Sequence, residues 1–346
     1  MNYSILLTID VEDWFQVENF KQCIPFSSWP TCELRVEKNV HRILDLLDSI
    51  KPNNPINASR ESGSRKGLTQ NSKPATRNNG FGLPPHDKDL PCDLSSLPSS
   101  PHALRLTPHG SIRATFFILG WVAERLPHLV REIQSRGHEV ASHGYDHVLC
   151  KEQSAEDLKN DLLKSKNLLE DIIGAPIYGY RAPGFSVNRD ILNIIEGAGY
   201  LYDSSFNSFK LNKRYGQVEF GTNNGSNGLS IQMSDSFYEL PISNLKIGRQ
   251  FFPWGGGGYF RLIPTGLFRL GVRSILKKQG GYLFYMHPWE IDSDQPKVAG
   301  VRLSYKFRHY INLEKTLNKL SYFLEELRDC RFQTCYEYLI GTNLNT

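Results

Sequence analysis

Short apolar runs alternate with amphipathic stretches along this chain, and that order leaves few folds open. "SILLTID" (4–10), "RATFFIL" (113–119) and "HEVASH" (138–143) read as buried strands. "RVEKNVHRILDLLDSI" (35–50) reads as a helix, and a second helix ends at Gly137 with Val122, Leu126, Leu129, Val130 and Ile133 on one face. Ser154 caps a third helix with the stripe Leu158, Leu162, Leu169 and Ile172, which Gly174 and Pro176 end. "IYGYRAP" is a strand-to-loop junction, "RDILNIIEGAG" a helix and "YLYDSS" a strand. Strands joined through helices pair in parallel, so the expected fold class is α/β, an open parallel sheet or a barrel. Sites in such folds collect at the carboxyl ends of strands.

The C-terminal third is less regular. "FFPWGGGGYFRL" reads as a glycine-rich loop, "GGYLFYMHPWE" as a strand running into a polar mouth, and residues 312–328 as the final amphipathic helix. Residues 51–110 stand apart, with nine of the 19 prolines but only Phe81 among the 40 aromatics, too little apolar surface to offset chain entropy. They read as a polar, disordered insertion that divides a catalytic unit.

Several function classes lose support from composition. The formal charge of +4 is too small to imply a nucleic-acid or anionic-membrane partner. No apolar run approaches the roughly 18 residues of a spanning helix, and "MNYSILLTIDVEDWF" lacks a basic leader, so a soluble cytoplasmic protein is expected. The six cysteines form no CxxC pair and are expected to be reduced and structural.

The chemistry concentrates in four places. His143 and His147, four apart in "HGYDH", offer imidazoles for a divalent ion, although HxxxH alone is a weak signal and lacks the glutamate of HExxH. Asp10, Glu12 and Asp13 in "TIDVEDWF" place three carboxylates at a strand end, which is costly unless a cation or hydrogen bonds offset them. Alternation puts Asp10 and Glu12 on one face of the strand, and Asp13 becomes accessible if the strand ends there. Arg181 in "GYRAPGF" would need a carboxylate partner at a buried strand end, and Asp10 would suit. His287 follows the apolar strand of "LFYMHPWE".

Taken together, "TID", "HGYDH", "RAP" and "LFYMH" resemble, in this order, the motifs of the polysaccharide deacetylases, carbohydrate esterases with a NodB-type domain. "DVEDWFQVENF", "GGGGYFRL", "HPWEIDSDQP" and "FRHYINLEKTL" resemble the branch associated with exosortase, or PEP-CTERM, exopolysaccharide loci. The resemblance implies a distorted (β/α)7 barrel over residues 1–50 and 111–290, with 291–346 as a C-terminal extension packed on it. It further implies a divalent metal, zinc above all, held by His143, His147 and a carboxylate. Strand geometry favours Glu12 as that carboxylate and an irregular turn Asp13. Asp10 would be the general base, Arg181 the residue orienting it and His287 the general acid. Trp14, Trp254, Tyr259 and Trp289 would offer walls or sugar-stacking surfaces, and Asp203 would tune His287. The implied reaction is removal of N-acetyl groups from an exopolysaccharide or its precursor, in association with export machinery. A metal-dependent amidase for a small amide or ureide and a non-catalytic glycan-binding scaffold are the alternatives.

Overall fold

A computed structural model of the chain describes residues 3–53, 111–209, 215–216, 218 and 226–343. The insertion expected over 51–110 therefore lies almost wholly outside the described residues. The elements, in chain order, are β1 (Ser4–Val11), α1 (Val36–Ser49), β2 (Thr115–Ile118), α2 (Gly120–Arg125), α3 (Pro127–Ser135), β3 (Glu139–Ser142), α4 (Ala155–Ile173), β4 (Gly179–Tyr180), α5 (Arg189–Gly197) and β5 (Tyr202–Asp203). There follow β6 (Ser226–Asn227), β7 (Ser230–Gln232), β8 (Tyr238–Glu239), β9 (Asn244–Ile247), β10 (Gln250–Pro253), α6 (Gly257–Leu262), α7 (Thr265–Gln279), β11 (Gly281–Met286), α8 (Leu303–Tyr310), α9 (Leu313–Glu325), β12 (Arg331–Phe332) and α10 (Cys335–Asn343).

The main sheet runs β11-β1-β2-β3-β4-β5-β8-β7-β6. Every pair from β11 to β8 is parallel, and only β7 and β6 join antiparallel. The sheet curls into a half-barrel. Across the seam the described residues form only an isolated bridge, Gly256 with Tyr285; Ser243 N donates to Leu283 O (3.4 Å) and Tyr285 N to Gly255 O (2.8 Å). The approach there is close: a Cβ at Gly255 would lie 2.6 Å from Ser243 O, and one at Gly257 would lie 2.3 Å from Glu290 Oε1, so both positions require glycine.

Alternation along β1 decides what faces where. Ile5, Leu7, Ile9 and Val11 enter the layer between sheet and helices, while Leu6 packs inside the curl with Phe117, Tyr202 and Leu283. Thr8 and Asp10 share the inner face of Leu6, so the strand leads from an apolar floor to a polar mouth. Each fully buried Leu, Ile or Phe contributes about 1.5–3 kcal/mol, which offsets the buried charge that the mouth carries.

Three expectations change. The helix expected to end at Gly137 is two helices, α2 and α3, because Pro127 cannot continue α2 and forces Leu126 to φ −126°, ψ 55°. The stretch "FFPWGGGGYFRL" is not all loop: its ends form β10 and α6 around the glycine crossing. The stripe within 312–328 forms α9, but it is not the last helix, since β12 and α10 follow it. β12 pairs with the start of β1, Ser4 opposite Arg331, and Phe323 of α9 meets Phe260, Phe268 and Phe284.

Candidate active site and metal centre

Three carboxylates in four residues meet three different fates. Asp10 closes the inner face of β1 and Glu12 lies just past the strand, whereas Asp13 turns away. Asp13 Oδ2 accepts from the backbone N–H groups of Arg35 (2.6 Å) and Val36 (2.8 Å), and Oδ1 from Trp14 N (2.8 Å). It caps the start of α1, where free N–H groups favour an anion, and stands outside the cluster that Glu12 forms with His143 and His147. Burial raises its pKa to about 6 against those hydrogen bonds.

Glu12, His143 and His147, all buried, bring one ligand atom each within 4.8 Å of one another. His143 Nδ1 faces the Arg181 carbonyl at 2.7 Å, so it carries the proton and leaves Nε2 with a bare lone pair. Burial lowers His143 to about 4, keeping the ring neutral as a ligand must be. His147 reaches Glu12 through Nε2 at 2.9 Å from Oε2, with a backbone φ of 59°, a left-handed conformation uncommon outside glycine. Glu12 Oε2 nonetheless receives no hydrogen bond of regular geometry, although it is fully buried. Burial pushes the Glu12 carboxyl up, but His147, His287 and His143 hold it well below the usual carboxylate range. Two imidazoles and one buried carboxylate fit a divalent cation.

Beside this triad Arg181 is fully buried with its donors engaged. Nη1 donates to Asp10 Oδ1 (2.6 Å) and Thr8 Oγ1 (2.8 Å), Nε to Ser204 O (2.8 Å) and Nη2 to Ser204 Oγ (2.8 Å). The guanidinium carbon also lies 4.0 Å above the Phe117 ring. Asp10 is therefore clamped through Oδ1, and Oδ2 is left facing His287 Nε2 at 3.9 Å.

His287 follows β11 and introduces a group absent from the sequence reading. Its Nδ1 lies 2.8 Å from Glu290 Oε1, which also accepts the His287 backbone N–H. Glu290 Oε2 is held by Arg261 Nε at 2.8 Å, and Arg261 in turn donates to the carbonyls of Arg308, His309 and Ile311. Burial opposes a charged His287, but Glu12, Glu290 and Asp10 together raise it to about 9. The i, i+3 spacing of His287 and Glu290 was a local signal for this pair; Arg261 had none.

The other expected residues divide. Trp289 donates Nε1 to Glu12 Oε1 (3.2 Å) and stacks between His287 and His309, so it positions the carboxylate and offers no open platform. Trp14 and Trp254 are buried: their indoles donate to Glu33 O and Phe268 O, and Trp254 stacks on Phe268. Tyr259 is half-buried on α6, with Phe209 at its edge. Asp203 does not meet His287; it accepts from Ser205 N and Oγ, and bonds to Glu239. Burial raises Asp203 to about 6 and carries Glu239 well above the carboxylate range, so this pair holds a proton that the mouth does not. Cys23, Cys32, Cys150, Cys330 and Cys335 are free thiols, and Cys92 lies outside the described residues.

Residues 93–202 match the family described as polysaccharide deacetylase, and residues 204–339 match a domain of unknown function, DUF3473. The chain is 33% identical over 101 residues to a peptidoglycan-N-acetylglucosamine deacetylase of Bacillus cereus, covering 29% of this chain and 47% of that protein. It is 31% identical over 105 residues to a peptidoglycan deacetylase of Helicobacter pylori (30% and 36%) and 28% identical over 101 residues to a chitooligosaccharide deacetylase of Azorhizobium caulinodans (29% and 48%). The chain thus spans less than half the length of these curated relatives. Among solved structures, a protein of Mycobacterium smegmatis described as a "putative polysaccharide deacetylase" superimposes with a TM-score of 0.56 at 15% identity, over 99% of this chain and 90% of that one, and so shares the fold. Over residues 93–202 the chain is thus similar to the polysaccharide deacetylase family and to curated deacetylases.

Proposed function

We propose that this chain is a metal-dependent de-N-acetylase acting on amino sugars of an exopolysaccharide or its precursor. The observation that carries this reading is the convergence of the Glu12, His143 and His147 triad with a clamped carboxylate, Asp10, and a carboxylate-backed imidazole, His287, at one mouth. A divalent ion bound there, zinc by the nitrogen-rich donor set, would polarise the amide carbonyl and bring a water toward a pKa of about 7.

The chain's own groups do the rest. Arg181 holds Asp10 by Oδ1, with Oδ2 left to take a proton from the attacking water. His287, charged at neutral pH and held by Glu290, carries on Nε2 the proton that the departing amine needs. Trp289 and the buried surround restrict water around Glu12. Acetate and a free amino sugar are the products.

The barrel occupies residues 1–50 and 111–290 in this reading, and 291–346 form the extension whose backbone carbonyls brace Arg261. The likeness of "HPWEIDSDQP" and "FRHYINLEKTL" to the exosortase-associated branch favours an exopolysaccharide substrate and a place beside export machinery. The free thiols suit a reducing compartment such as the cytoplasm. Acetate release by the zinc-loaded chain across a panel of N-acetylated glycans is the test. Release that a chelator abolishes supports the assignment. Turnover of a small ureide alone, or glycan binding without release, would overturn it.

A further inference from the structure

The chain-wide charge of +4 conceals a strong local imbalance. Residues 241–280 contain seven basic residues and no acidic one, a local charge of +7 that leaves −3 for the remainder. Arg261 is spent on Glu290 and Arg269 on Glu326. Lys246, Arg249, Arg273, Lys277 and Lys278 are exposed and have no ion-pair partner among the described residues. The same segment holds six of the eleven large hydrophobics exposed among the described residues: Ile247, Phe251, Phe252, Leu262, Leu267 and Leu270.

These side chains lie on adjoining elements, the β9–β10 hairpin and α6–α7. The β9–β10 hairpin carries Ile247, Phe251 and Phe252 around a turn at Gly248 and Arg249. Its base is fixed to α7, since Trp254 stacks on Phe268 and donates to its carbonyl. On α7, Leu267, Leu270, Arg273 and Lys277 recur at i+3 and i+4 spacing on the face opposite the buried Phe268, Val272, Ile275 and Leu276. Leu270 is 61% exposed, Ile247 59% and Leu267 54%, too much apolar surface in one segment without acidic residues to count as scattered.

We propose that this flank docks on an anionic phospholipid bilayer, with the hairpin and the first turns of α7 entering the headgroup region and the lysines and arginines meeting lipid phosphates. Exposed apolar side chains interleaved with cations are what such a surface recognises. A second copy of the chain would set like charges against each other. Four of the six apolar groups are aliphatic and offer no stacking face to a nucleobase. The inference does not depend on the catalytic reading.

Flotation of the purified full chain with mixed phosphatidylcholine–phosphatidylglycerol vesicles and with pure phosphatidylcholine vesicles tests it. The expected result is binding to the mixed vesicles that added salt weakens. The triple variant Arg273→Gln, Lys277→Gln, Lys278→Gln should weaken that binding roughly a hundredfold, at about fivefold per basic side chain. The pair Phe251→Ser, Phe252→Ser should weaken it by at least about tenfold, while a charge-matched control, Lys38→Gln, Lys151→Gln, Lys159→Gln, should bind as the parent does. All five patch positions are exposed, and circular dichroism checks that each variant folds. Failure of the parent to float with anionic vesicles, equal loss in the control, or binding unmoved by both patch variants would overturn the proposal. So would a patch-dependent dimer, or a patch-dependent complex with a single-stranded oligonucleotide that forms while vesicles leave the chain in solution.

Discussion

Two groups of buried carboxylates lie along this sheet, and their surroundings separate them. At the end of β1, Asp10 pairs with Arg181 and faces His287, while His147, His287 and His143 hold the negative charge of Glu12 in place. Between β5 and β8, Asp203 and Glu239 face serine hydroxyls and backbone amides, and the pair keeps a proton. Both are fully buried and both are acidic. The difference teaches that a buried carboxylate gives up its proton where cationic side chains accompany it and keeps one where only neutral donors do.

The comparison breaks most decisively at Glu12. Glu12→Gln should remove zinc binding measured by titration calorimetry, a loss beyond the roughly 10–100-fold typical of an outer-shell residue, and acetate release with it. In the parent, Glu12 raises His147, so an entering ion must displace its proton. Zinc affinity should rise with pH through the range in which His147 deprotonates, with buffer-dependent enthalpies reporting the proton.

Asp10→Asn should lower kcat/KM by about 10²–10⁴-fold while leaving zinc bound. It should also cost up to about 3–5 kcal/mol in urea unfolding, because Arg181 loses its buried counter-ion. Retained activity would remove Asp10 from the base role.

Glu290→Gln should lower kcat about 10–100-fold with little change in KM, since the altered acceptor no longer fixes the proton on His287 Nδ1. A change in KM alone would make Glu290 a packing residue.

The smallest effect belongs to the other carboxylate pair. Glu239→Gln should leave acetate release within about twofold. The parent's pair binds protons more tightly when folded, Asp203 rising from 3.8 to about 6. Its contribution to stability is complete below about pH 3.8 and is lost as pH rises, through about 6 for Asp203 and at higher pH for Glu239. Melting temperatures across that window should fall less steeply in Glu239→Gln than in the parent.

Much of this site was legible in the chain because strand ends follow from alternation and apolar run length. Asp10 sits at such an end within β1, His143, His147, Arg181 and His287 follow others, and parallel strands carry those ends to one side. Tryptophans misled where the same local logic was applied to packing: Trp14 and Trp254 adjoin polar motifs in sequence, yet their rings fill the core. The site also crosses the two matched families. His143, His147 and Arg181 fall within 93–202, His287, Glu290 and Arg261 within 204–339, and Asp10 and Glu12 precede both.

By itself the sequence determined the βα order, the parallel sheet and the residue types at its mouth, because periodicity and spacing are local properties. Only the tertiary structure set Glu12 and Asp13 apart, since their surroundings depend on where α1 begins: its free N–H groups hold Asp13 and leave Glu12 beside the histidines. Only it exchanged Asp203 for Glu290 beside His287 and brought Arg261 to lock that carboxylate. Such pairings join residues far apart in the chain, and no local pattern encodes the distance between them.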